Sequence, residues 1–84
     1  MLSMAGVNIV ATEGTVGGKH RIEGTRIRVI DVIECYQELG WNVEKIAQEF
    51  GLMPQQVLAA MKFYYDNRKT VRNELLSEGE NVNG

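Results

Sequence analysis

Four cations crowd the stretch GKHRIEGTRIR: Lys19, Arg21, Arg26 and Arg28 stand against a single carboxylate, Glu23. Arginine presents a planar fork of donors and lysine a compact charge, so the set is suited to gripping phosphate. A second group able to do chemistry is Gln55-Gln56 in FGLMPQQV. A glutamine amide can bond adenine bidentately in the major groove, and Ala59 and Lys62 follow along the same segment as further groups to set near bases.

Other chemistries lack members. Cys35 and His20 are the single cysteine and histidine, so no Cys/His metal site and no Cys-His catalytic pair can be assembled. Cys35 reads as a small half-buried group on a helix, and His20, between Lys19 and Arg21, as a surface or nucleic-acid-facing group. The serines, Ser3 and Ser77, lie near the two ends, and no paired carboxylates sit in an apolar setting. No catalytic residue, metal or cofactor is expected, and the chain is expected not to be an enzyme.

These groups must be held by elements that the apolar spacing outlines. VNIVA, residues 7–11, is short and β-branched and reads as a strand. TEGTVGGKH is a turn region, and Gly17-Gly18 can take positive φ. From Arg21 to Ile30 the apolar residues Ile22, Ile27 and Val29 leave Arg26 and Arg28 on the opposite parity, a ribbon with a cationic face. Gly24-Thr25 breaks it, so that the two halves, KHRI and RIRV, can pair with each other or with a second chain.

From Val29 the period changes to Val29, Val32, Ile33, Tyr36 and Leu39, a helix that Gly40 ends as a left-handed cap. Asn42 caps a second helix, VEKIAQEF, with Val43, Ile46, Ala47 and Phe50 inward, and Gly51 ends it. Pro54 suits the first position of a third helix. Its inward stripe is Val57, Leu58, Met61, Tyr64 and Tyr65, and with no glycine or proline until Gly79 it is expected to continue to about Leu76. The fold class expected is mostly α, a short N-terminal β-ribbon followed by three helices. A flexible N-terminus is expected at 1–6, a single domain at 7–77 and a disordered tail at 78–84.

The chain has 84 residues and a formal net charge of -2, which argues against coating nucleic acid by charge alone. No apolar run approaches the ~20 residues needed to cross a bilayer, and MLSMAGVNIV lacks the basic start of a signal peptide. A cytoplasmic protein without membrane contact is expected.

Two short helices joined by FGLMP, the second with a polar first turn, have the form of a helix-turn-helix. The span GGKHRIEGTRIRVIDVIECYQELGWNVEKIAQEFGLMPQQVLAAMKFY resembles the small prokaryotic family called domain of unknown function number four hundred and thirty-three, similar to VapB-type antitoxins. The matching residues are Gly18, Lys19, Ile22, Gly24, Thr25, Arg26, Ile27 and Val29, then Gly40, Ile46, Ala47, Val57, Ala60 and Tyr64. The chain departs from the family pattern at His20 and Arg28, where prolines are usual, and at Met53, where serine or threonine is usual. The resemblance implies a homeodomain-like helix-turn-helix, and an antitoxin or autoregulator encoded beside a PIN-like ribonuclease toxin.

Two readings of function follow. In the first, a homodimer binds operator DNA, with Gln55, Gln56, Ala59 and Lys62 at the bases and Lys19, Arg21, Arg26 and Arg28 on phosphates. Val71, Leu75 and Leu76 then offer apolar anchors to a toxin. In the second, a homodimeric interaction module binds and inhibits a partner enzyme without DNA; Arg26 and Arg28 are then the solvated face of an edge strand. Trp41 reads as a core or interface anchor, and Phe63, Tyr64 and Tyr65 cannot all face one core, so Phe63 joins Trp41 as a partner-facing group.

Overall fold

The β-branched pair Ile9-Val10 and the pair Arg21-Ile22 flank the glycine-rich loop, and they meet as antiparallel strands β1 (Ile9–Val10) and β2 (Arg21–Ile22). The register sets Ile9 opposite Ile22 and Val10 opposite Arg21. These and the other elements come from a computed structural model that describes the backbone of residues 6–83 and the side chains of residues 6–77. The flexible N-terminus expected from the sequence lies, apart from Gly6, outside the described residues, as does Gly84. Four α-helices follow among the described residues: α1 (Val29–Gln37), α2 (Val43–Phe50), α3 (Pro54–Asp66) and α4 (Arg68–Asn83). Among the described residues no helix is long and apolar enough to cross a membrane.

The two halves of the ribbon pair within one chain. Ile22 N–H donates to Ile27 O at 2.9 Å and Val29 N–H to His20 O at 3.0 Å, with an antiparallel bridge between Arg21 and Arg28. The reversal is built on Thr25, whose N–H and hydroxyl both donate to Ile22 O while its Oγ1 accepts from Ile27 N–H. Gly24 supplies the φ of 84° that the turn requires.

The helix punctuation follows local chemistry. Asp31 closes the start of α1 by accepting from the Arg28 N–H at 2.9 Å and from its guanidinium, and Asn42 Oδ1 accepts the Lys45 N–H at 2.8 Å at the start of α2. Gly51 takes the left-handed conformation, φ 69° and ψ 33°, and Leu52 N–H reaches back to Ala47 O at 2.8 Å. Met53 has no polar side chain to cap α3. The side-chain Oε1 of Gln56 instead accepts the Met53 N–H at 2.8 Å, which is half of a capping box.

A third helix reaching Leu76 is corrected by a break at Asn67, whose φ of -138° and ψ of 46° are not helical. Its side chain donates to Phe63 O at 3.1 Å, and its carbonyl accepts Val71 N–H at 3.1 Å as α4 begins. Asparagine competes for backbone groups in this way without any glycine or proline. The break lets α4 turn back onto α1 and α3 and bury Val71 completely. The backbone of α4 runs on through Asn83, across residues where a polar tail is expected from the sequence.

The core gathers Ile22 of β2, Val29, Ile30, Val32 and Ile33 of α1, Ile46 and Ala47 of α2, Val57 and Ala60 of α3, and Val71 of α4. Each fully buried valine or isoleucine side chain contributes about 1.5–3 kcal/mol. The helix α3 is central, packing against α1, α2, α4 and both strands.

Candidate nucleic-acid interface

With neighbours on several sides, α3 has a broad covered arc and one face left to solvent. The inward stripe differs from the one the spacing predicts. Val57, Ala60, Met61 and Tyr64 pack into the core, whereas Leu58 and Tyr65 are 44% and 52% exposed. Ala59, expected among the base-facing groups, is only 6% exposed and has no surface to present. The open face carries Gln55, Leu58, Lys62 and Tyr65, spaced by three or four residues and therefore in line along the helix. Lys62 bonds Asp66 across one turn at 2.8 Å, an exposed pair of small energetic weight that can rearrange. The side-chain Oε1 of Gln56 is engaged at the Met53 N–H, so of the two glutamines Gln55 is the one without a structural duty among the described contacts.

The ribbon cations are placed otherwise than the sequence suggests. Lys19 is buried, 7% exposed, with Nζ 3.5 Å from where a Cβ on Gly17 would lie. Burial removes it from any phosphate-facing set. Arg21 is half-buried and donates through Nε to Thr25 O and through Nη1 to Thr12 Oγ1, both at 3.0 Å. Arg28 forms a forked pair with Asp31, with Nη2 2.7 Å from Oδ1. Arg26 is exposed.

His20 is not a surface group either. Its ring lies against Phe63, centroids 4.7 Å apart, and its Nδ1 and backbone N–H both meet the carboxylate of Glu74 on α4. Phe63 is thereby half-buried against its own chain, whereas the sequence reading sets it toward a partner. Trp41 also packs against the core and carries the Lys45 ammonium 4.9 Å above its ring. Val71, expected as an anchor for a partner, is a core residue, and Leu75 is partly buried beside it; Leu76 alone of that set is exposed, at 61%. Burial raises the thiol pKa of Cys35 above its ordinary value, with Asp31 and Glu34 adding to the effect. Among the described residues no group of three or more His, Cys, Asp or Glu side chains could hold a metal ion.

The structure also brings forward cations that the reading of a continuous third helix passed over. Arg68 sits over the rings of Tyr65 and Tyr64, 5.3 and 5.8 Å from their centroids. Lys69 and Arg72 follow on the exposed side of α4 and, with Arg68 and Asn73, line an open groove of about 340 Å³. The signal was the basic run RKTVR itself.

A family model described as "Protein of unknown function (DUF433)" matches residues 9–64, from β1 nearly to the end of α3. No curated protein and no solved structure matches the chain.

Proposed function

Since the chain belongs to the DUF433 family, whose description names no activity, we propose that it is a dimeric DNA-binding protein of the antitoxin type, autoregulating a toxin-antitoxin pair. In this reading α2, the three-residue turn of residues 51–53 and α3 act as a helix-turn-helix, and α3 enters the major groove. One observation carries it: the exposed face of α3 bears Gln55 in its first turn with Leu58 and Lys62 behind it, while its other sides are packed. Gln55 bonds adenine, Leu58 rather than the covered Ala59 meets a thymine methyl, and Lys62, about 10 Å further along the axis, reaches phosphate. Arg26 is the ribbon cation placed to join it. A PIN-like toxin would meet α4 through Leu76, and a second copy would cover apolar groups such as Tyr36 and Leu39 at the end of α1, both exposed.

A second reading, an interaction module without DNA, is favoured by one specific fact: Arg21 and Arg28 make hydrogen bonds within the chain and Lys19 is buried. Titration against the upstream DNA of its own gene and an unrelated duplex, at two salt concentrations, separates the two. Selective, salt-weakened binding, with the preference relaxed by Gln55→Ala, is the expected result. Absence of binding at both salts would reject the DNA reading, and a monomer mass by light scattering would reject the dimer.

A further inference from the structure

The sequence carries a net charge of -2, so any polyanion must be met by a local concentration of positive charge. The described cations of the domain are largely matched or covered: Arg28 with Asp31, Lys45 with Glu49, Lys62 with Asp66, and Lys19 by burial. The first turn and a half of α4 differs. Lys69 and Arg72 are exposed, one turn apart, and form no ion pair among the described residues, while Arg68 is held on the tyrosine rings. Among the described residues no carboxylate lines the groove that these three share with Asn73.

We propose that Arg68, Lys69 and Arg72 form a phosphate-backbone clamp for duplex DNA, a contact made by α4 beyond the stretch shared with the family. The proposal rests on the DNA-binding reading of α3 and adds where the duplex is gripped. Continuity supports it: Tyr65 closes the exposed face of α3, and Arg68 stacks on Tyr65, so the clamp extends the same surface past the break at Asn67. A helix lying with its polar first turn in the major groove brings its far end to the phosphate track. Two arginines suit bidentate grip of phosphate, and the lysine adds a point charge. A membrane surface fits less well, because a helix that lies in a bilayer interface needs an apolar face to insert. The apolar side of α4, Val71 and Leu75, is turned into the core.

Phosphate contacts position a protein without reading sequence, which makes the clamp separable from Gln55. The double variant Lys69→Ala with Arg72→Ala, compared with the unaltered chain, is titrated against the upstream and unrelated duplexes over a salt series. The slope of log affinity against log salt is expected to shrink by about 1.8, roughly 0.9 for each lost contact. The ratio of affinities for the two duplexes is expected to stay unchanged. An unchanged slope in a variant whose circular dichroism matches the unaltered chain would overturn the clamp and leave the α3 reading standing. If the unaltered chain binds neither duplex, both fall together. Binding of the unaltered chain to phosphatidylserine vesicles or to polyglutamate, lost in the double variant while duplex affinity is not, would assign the patch to another polyanion and overturn the proposal.

Discussion

Residue identity and exposure together set what each reactive group can do. Cys35 lies in the wall of the core, and the thiolate is its reactive form. Burial first, and then the carboxylates of Asp31 and Glu34, disfavour the charged form and raise the pKa. Because the folded pKa is raised, the thiol favours the folded state below its unfolded pKa, and that contribution is lost as pH rises through the folded value. Alkylation of Cys35 by iodoacetamide at mildly alkaline pH is therefore expected to be at least tenfold slower in the folded chain than in urea. Equal rates would show an open thiol. Arginine tells the same lesson from the other side: Arg21 and Arg28 have the same chemistry as Arg72, but Thr12, Thr25 and Asp31 occupy their donors.

The elements are bounded by short-range bonds, and α3 shows how duties divide between neighbours. Gln55 and Gln56 are chemically identical, yet only the Gln56 side-chain Oε1 accepts the Met53 N–H. Replacing Gln56 with alanine is expected to lower stability by about 0.5–1 kcal/mol, the scale of a lost helix-start bond, as measured by urea unfolding. Gln55→Ala is expected to stay within about 0.5 kcal/mol of the unaltered chain, as for exposed positions generally. The reverse order would assign the cap to Gln55 and with it undo the division between reading and capping. Such punctuation was legible in advance at Gly40, Asn42, Gly51 and Pro54, because caps and turns depend on residues within one helical turn. It was less legible at Asn67, where a polar residue of no fixed preference ends the helix because α4 gains a core position by turning.

At the scale of the molecule, the ribbon is tied to the last helix by His20 and Glu74, 54 residues apart in the chain. The carboxylate accepts from the His20 backbone N–H and meets its ring nitrogen Nδ1, while Phe63 packs against the imidazole. Both side chains are mostly shielded, so Glu74→Ala is expected to cost about 2 kcal/mol, the scale of hydrogen bonds to a charged group. Urea unfolding would check it, and a change below about 0.5 kcal/mol would show that α4 is held by its other contacts, chiefly the apolar packing of Val71 and Leu75. The tie matters for function as well, since it fixes the direction in which α4 leaves α3 and so where Arg68, Lys69 and Arg72 stand.

By itself the sequence determined the helical class, the positions of α1 and α2, the start of α3, the break in the ribbon at Gly24-Thr25 and the resemblance carried by the GTRI segment. Periodicity, caps and turns are local, and they act before the chain is packed. Tertiary structure alone decided that Ala59 is covered while Leu58 is open, that Val71 serves the core, that Lys19 is buried, and that His20 joins Glu74. Each of those outcomes depends on which distant surface arrives beside a residue. An α3 enclosed by helices and a ribbon buries a wider arc than a helix resting on one neighbour, and a cation bonded to acceptors from another turn is drawn partly out of solvent.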